Sequence, residues 1–103
     1  MKHQSCIDAC LACAMACEHC LSKMIGKDSG NDCPHCCNEC ASICILCAES
    51  MAREGRFAKE ICAVCAKVCD WCADQCGAHD HEHCQACAKA CQKCAEECRA
   101  MAA

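Results

Sequence analysis

Twenty-one of the 103 residues are cysteine, and twenty of them fall into four blocks that step alternately by three and four residues. The first block is Cys6, Cys10, Cys13, Cys17 and Cys20. The second is Cys33, Cys37, Cys40, Cys44 and Cys47, with Cys36 as an extra member. Cys62, Cys65, Cys69, Cys72 and Cys76 form the third, and Cys84, Cys87, Cys91, Cys94 and Cys98 the fourth. Thiols offer two chemistries, soft-metal ligation and disulfide exchange. One C-x-x-C pair decides nothing between them. Nine such pairs in a common rhythm do, because the rhythm says where the sulfurs point.

A 3-4-3-4 step keeps side chains on one face of an α-helix, where a soluble bundle normally places leucine. Four helices that turn this face to a common axis form a tube of thiols. A disulfide scaffold is opposed by the odd cysteine count, by the shortage of loop to staple, and by the helical spacing within every block. Bridges between i and i+3 or i+4 would fix nothing that the helix has not already fixed. A thiol redox carrier needs accessible, low-pKa cysteines at a helix start, and only Cys33-Pro34-His35-Cys36 has that form.

The elements that must hold the thiols follow from the punctuation. The pattern predicts helices over about 4–24, 33–54, 57–76 and 81–101, each about 30 Å long. Ser5 and Asp8 offer a start signal for the first, Asp32 an N-cap for the second, and Asp80 a cap for the fourth. Pro34 is tolerated in a first turn. The polar, glycine-bearing stretch 25–32 reads as a loop, Gly55 as a tight break, and Gly77 as a helix terminator. Short connections favour an all-α, antiparallel, up-down-up-down four-helix bundle with a cysteine-lined core, spanning 1–103 as one domain.

Laid antiparallel, the blocks give five layers of four thiols. Cys20, Cys33, Cys76 and Cys84 lie at one end, and Cys6, Cys47, Cys62 and Cys98 at the other. Between them come Cys17, Cys37, Cys72 and Cys87, then Cys13, Cys40, Cys69 and Cys91, then Cys10, Cys44, Cys65 and Cys94. Cys36 is left beside the first two layers. Small and aliphatic neighbours such as Ile7, Ala14, Ala48, Ala66, Ala88 and Ala95 let the helices approach closely. Leu11, Met15, Ile45, Leu46, Val64 and Trp71 fall on outer faces, as scattered surface apolars or as a homo-oligomer contact.

Composition excludes several classes. Ile, Leu, Val and Phe together number only 11, a share that suggests disorder unless cysteine itself is the core residue. One Trp, one Phe, no Tyr and a net charge of -4 argue against nucleic acid. No secretory signal and no stretch of about 18 apolar residues is visible, so the reading is cytoplasmic, without a membrane. No catalytic constellation is present, so an enzyme is not expected.

Charge and softness choose the metal. About seven Zn²⁺ on 21 thiolates would leave about seven negative charges in a low-dielectric tube. Cu(I) takes two or three sulfurs, each thiolate can bridge two ions, and roughly one ion per cysteine makes the core neutral. Full loading is then roughly 20 Cu(I). Iron–sulfur clusters need few convergent sites rather than a continuous ladder. Zn or Cd sequestration remains the alternative, with the redox carrier behind it. Five of the six histidines, His19, His35, His79, His81 and His83, gather with Met24 at one end of the antiparallel arrangement. His35, His79 and His83 are the candidates for a metal-entry rim, while His19 and His81 read as solvated. Met51 and Met101 read as packing residues at the far end, where Met101 and the Gly55 turn would close the tube.

The blocks from Cys6-x-x-x-Cys10-x-x-Cys13 to Cys91-x-x-Cys94-x-x-x-Cys98 resemble those of the cysteine-rich four-helix-bundle copper storage proteins, over nearly the whole chain. The resemblance implies a preformed bundle filled with many Cu(I) ions by inward-facing thiolates, with storage and detoxification as the function. Lack of a signal resembles the cytosolic branch, whose members tend to oligomerise. Copper ions, and a copper chaperone or small-molecule Cu(I) carrier, are the implied partners.

Overall fold

The computed structural model describes residues 1–103. It contains four α-helices and no strand: α1 (Gln4–Met24), α2 (His35–Ala52), α3 (Ala58–Gly77) and α4 (Glu82–Ala102). α1 and α3 each pack on α2 and α4, while the backbones of the diagonal pairs stay apart. The result is a square antiparallel bundle measuring 40 × 20 × 17 Å. Sulfurs meet across its diagonals, with Cys17 Sγ 4.0 Å from Cys72 and Cys44 Sγ 3.8 Å from Cys94.

All 21 cysteines are buried in one core, ringed by alanine. Ala14 and Ala95 are fully buried, and Ala48, Ala66 and Ala88 nearly so. A methyl group at these contacts holds the helix axes close, and the thiols then fill the remaining bore as small hydrophobes. Larger apolar groups are left outside. Leu11, Met15, Ile45, Leu46 and Val64 are exposed, whereas Trp71 is half-buried because its indole is tied down.

Helix ends depart from the sequence expectation. No N-terminus carries a side-chain cap. Ser5 lies inside α1 and donates to Glu97 on α4 at 2.8 Å, and Asp8 accepts from Gln4 at 2.7 Å. Asp32 is not a cap, since α2 begins only at His35 and Pro34 takes the N-cap position. Its carboxylate accepts instead from Trp71 Nε1 at 3.0 Å. His81, not Asp80, precedes α4. For Ser5 and Asp32, tertiary ties have taken the polar groups that local rules assign to caps. Gly77 does not end α3 in a left-handed turn; it stays helical, with Ala78 in the right-handed region after it. Gly55 is required by close approach, because a Cβ there would sit 2.9 Å from the Ser50 hydroxyl oxygen.

α1 also corrects the expectation that no segment resembles a membrane span. Its length and mean hydropathy of 1.2 meet that description. Cysteine and alanine supply the hydropathy, and the cysteine face is turned into the bundle. By packing, it is a core helix.

Candidate metal centre

Sulfur atoms touch within every layer of the ladder. Cys20 and Cys84 lie 3.8 Å apart, as do Cys33 and Cys76. In the next layer Cys17 is 3.6 Å from Cys87, and in the middle layer Cys13 is 3.6 Å from Cys91. Cys10 and Cys94 are 3.6 Å apart, and Cys47 and Cys62 at the far end 3.4 Å. Taking about 2.3 Å for a metal–thiolate bond, two sulfurs on one ion are at most about 4.6 Å apart. The observed spacings therefore suit two- or three-coordinate ions without backbone movement. None of the cysteines is in a disulfide.

The four-thiol groupings differ from the flat layers that the sequence suggests. Cys10, Cys47, Cys65 and Cys98 form one, and Cys20, Cys37, Cys76 and Cys87 another; each spans two adjacent layers. The helical rise staggers the sulfurs, so the compact sets run obliquely. Moreover, Cys13 and Cys40 belong to two sets, and so do Cys17, Cys87 and Cys91. Overlapping sets call for bridging thiolates, whereas separate tetrahedral Cys₄ sites would each need four sulfurs of their own. Cys36, off the stripe in sequence, is fully buried with its sulfur 3.9 Å from Cys76.

Without metal, burial favours the protonated form of thiols at both ends of the bore. Burial pushes the Cys33 thiol up to about 11 against the ordinary 9.0, Cys76 partly offsetting it by hydrogen bonding. Burial likewise raises Cys20, helped by the charge of Cys33, and Cys62, helped by Cys47. A soft metal entering there must then displace protons. The shifts also bear on stability. Between pH 9.0 and about 11 the unfolded chain loses thiol protons that the fold retains, so this stabilisation is complete below pH 9 and declines as pH rises. Urea melts of metal-free protein should therefore give equal midpoints at about pH 7 and 8, and a lower one at about pH 10.5. A midpoint that holds at the highest pH would contradict the burial argument.

The histidine end is built by the end of α1, the 25–34 loop and the α3–α4 turn. His83 Nε2 lies 3.3 Å from the sulfur of Met24, which is buried. His35 is exposed and shares a pocket of about 370 Å³ with Met24, Leu21 and Pro34. Met24 thus meets His83 and lines the same pocket as His35. The third, His79, donates from Nε2 to the Ser29 carbonyl at 2.9 Å, which leaves the lone pair on Nδ1, a buried atom without a partner. His81 stacks on His83 at 5.1 Å, and His19 is exposed. Burial, then the charge of His81, holds His83 below the usual imidazole range, so its neutral, metal-ligating form is favoured.

At the opposite end Met51 is completely buried while Met101 is only half-buried, so Met51 and not Met101 is the more deeply packed methionine there. Sequence reasoning also missed the ties that hold the 25–34 loop on α3, from Asn31 and Asp32 to Gln75 and from Trp71 to Asp32. No spacing rule marks them.

Residues 1–103 match the family described as copper storage protein. A solved structure titled Cu(I)-bound copper storage protein BsCsp3 has a TM-score of 0.92 at 48% identity, with 97% of each chain covered. A cytosolic copper storage protein from Streptomyces lividans, solved with five coppers, gives 0.89 at 31% identity, covering 97% of this chain and 91% of that one. An uncharacterised cysteine-rich protein of Bacillus subtilis, YhjQ, is 48% identical over 61 residues. That alignment takes in 59% of this chain and 56% of the relative. A match along the whole length, on a bundle whose bore is lined from end to end with thiols, leaves no ambiguity: the chain belongs to the copper storage protein family.

Proposed function

We propose that this chain stores Cu(I) in the cytoplasm, on all 21 cysteines, at about one ion per cysteine, and acts by sequestration rather than catalysis. One observation carries the reading: every cysteine is at most 2% exposed and every one is free. Burial at that level suits a ligand array better than a redox carrier, whose thiols must reach a partner. The overlapping four-thiol sets favour Cu(I) over Zn²⁺ or Cd²⁺. The Streptomyces lividans relative is described as cytosolic, which supports the same compartment here. Anaerobic titration with Cu(I) should saturate near 20 ions per chain, and excess Zn²⁺ should not displace them. Saturation at seven or fewer, or ready displacement by Zn²⁺, would favour the alternative metal.

Copper enters at the histidine end in this reading. His83 with Met24 offers a nitrogen and a sulfur at ligand spacing, His35 flanks the same Met24, and Nδ1 of His79 has no protein partner. A chaperone or small-molecule carrier would exchange its ligands there. Replacing His35, His79 and His83 by alanine should slow Cu(I) uptake by about tenfold, roughly 1.4 kcal/mol in the barrier, with capacity unchanged. Met51→Ala plus Met101→Ala should leave the rate alone, and an unaltered rate in the histidine triple variant would return those residues to the solvent. The exposed row of Leu11, Met15, Ile45, Leu46 and Val64 supports a homo-oligomer contact, which sedimentation of the wild type against a charged substitution at Ile45 would test.

A further inference from the structure

Cys36 breaks the three-four rhythm, yet its sulfur is as deeply buried as any on the stripe. Its neighbour explains the placement. Cys76 meets three sulfurs from one short stretch of chain: Cys37 at 3.4 Å, Cys33 at 3.8 Å and Cys36 at 3.9 Å. No other thiol meets three from a single neighbouring segment. Cys76 also touches Cys72 at 3.9 Å, and Cys37 touches Cys87 at the same distance, so the group opens directly into the next layer.

The group is held in place by polar contacts outside it. Cys33 precedes α2 and depends on the loop for its position. That loop is fastened to the residue before Cys76: Asn31 Nδ2 donates to the Gln75 carbonyl at 2.8 Å, and the Asp32 amide to Gln75 Oε1 at 2.9 Å. Trp71, one turn earlier on α3, donates to the Asp32 carboxylate at 3.0 Å. The Cys33 carbonyl itself accepts from Ser29.

From this geometry we infer that Cys33, Cys36, Cys37 and Cys76 are the acceptor site that takes each incoming Cu(I) and passes it down the tube, with Gln75 as its positioning residue. The inference rests on the Cu(I)-storage reading. Exchange of a soft ion between thiolates requires the incoming sulfur to be within bonding reach before the outgoing one leaves. Three α2-side sulfurs around Cys76 meet that requirement at the end where the ion arrives. Each thiol releases its one proton to water when it first binds copper and none when it bridges to a second ion, and the carrier's ligands depart with their own charge. The oxidation state of copper does not change.

Stopped-flow uptake from a Cu(I)–acetonitrile complex, under anaerobic conditions, tests the assignment. Cys36→Ser should slow the initial phase by about tenfold while capacity falls by about one ion. Met101→Ala, a change at the other end and outside the thiol array, should keep both the wild-type rate and the wild-type capacity. Gln75→Ala retains every thiol, so it should slow uptake with capacity unchanged; a role confined to holding the fold would lower the melting midpoint and leave the rate alone. Equal rates for Cys36→Ser and wild type, or equal slowing in Met101→Ala, would overturn the acceptor site. Absence of uptake by the wild type would instead overturn the storage reading beneath it.

Discussion

Loading with Cu(I) in the absence of oxygen is expected to raise the thermal midpoint of this bundle by at least about 30 °C. An ion that binds only the folded array adds about 2.7 kcal/mol at a free concentration one hundred times its dissociation constant. Even two or three independent sites at that occupancy add a sum comparable with the 5–15 kcal/mol that holds an ordinary domain together. A small domain gains about 4–8 °C per kcal/mol, so the midpoint should pass about 90 °C well before saturation. The metal-free protein starts low because its core is sulfur and methyl, with few large side chains to bury. Paired melts followed by circular dichroism, with and without copper, give the answer. Coincident midpoints would mean that the thiols are packing and not a store.

The second large effect concerns the metal-free core. Cys91 is fully buried, and its sulfur faces Cys13 at 3.6 Å, Cys17 and Cys40 at 3.9 Å, and Cys87 at 4.0 Å. Those neighbours include no cation and no amide. Cys91→Asp would put a carboxylate where nothing can neutralise it, at a cost of about 4 kcal/mol or more. That is most of the stability such a domain can have, so the variant should be largely unfolded at neutral pH. Below about pH 4 the carboxyl takes up a proton and part of the helical signal should return. Cys91→Ala removes the sulfur without adding charge and serves as the comparison, with a loss of about 1–2 kcal/mol. Should the aspartate variant melt with the alanine variant at neutral pH, the bore is wetter than its burial implies.

How far these results could be read beforehand varies with the kind of residue. Twenty cysteines on a 3-4 rhythm are legible because helical periodicity converts spacing into direction, and direction into layers. The alanines beside them are legible for the same reason. Asp32 and Ser5 were misleading because a cap preference is worth about 1 kcal/mol, small enough for a tertiary tie to override. Asp32 answers Trp71, thirty-nine positions away, and nothing local announces that partner. Cys36 could not be placed by periodicity because the second helix starts two residues later than its pattern suggests, leaving Cys33 in the loop. The oblique four-thiol sets were hidden too: layers follow from register, but distances within them depend on stagger.

The square bundle, with thiols meeting across its diagonals, carries an implication for how such a container could change size. Its bore is lined by buried cysteine with alanine at the helix contacts from one end to the other, so lengthening it demands no new architecture. One additional heptad on each of the four helices would extend the bundle by about 10.5 Å. At the 3-4 step those heptads would bring two more tiers, or about eight thiols, without altering a loop or either end. Capacity in this architecture is therefore proportional to length, and its growth by duplication within the helices needs only that all four grow together.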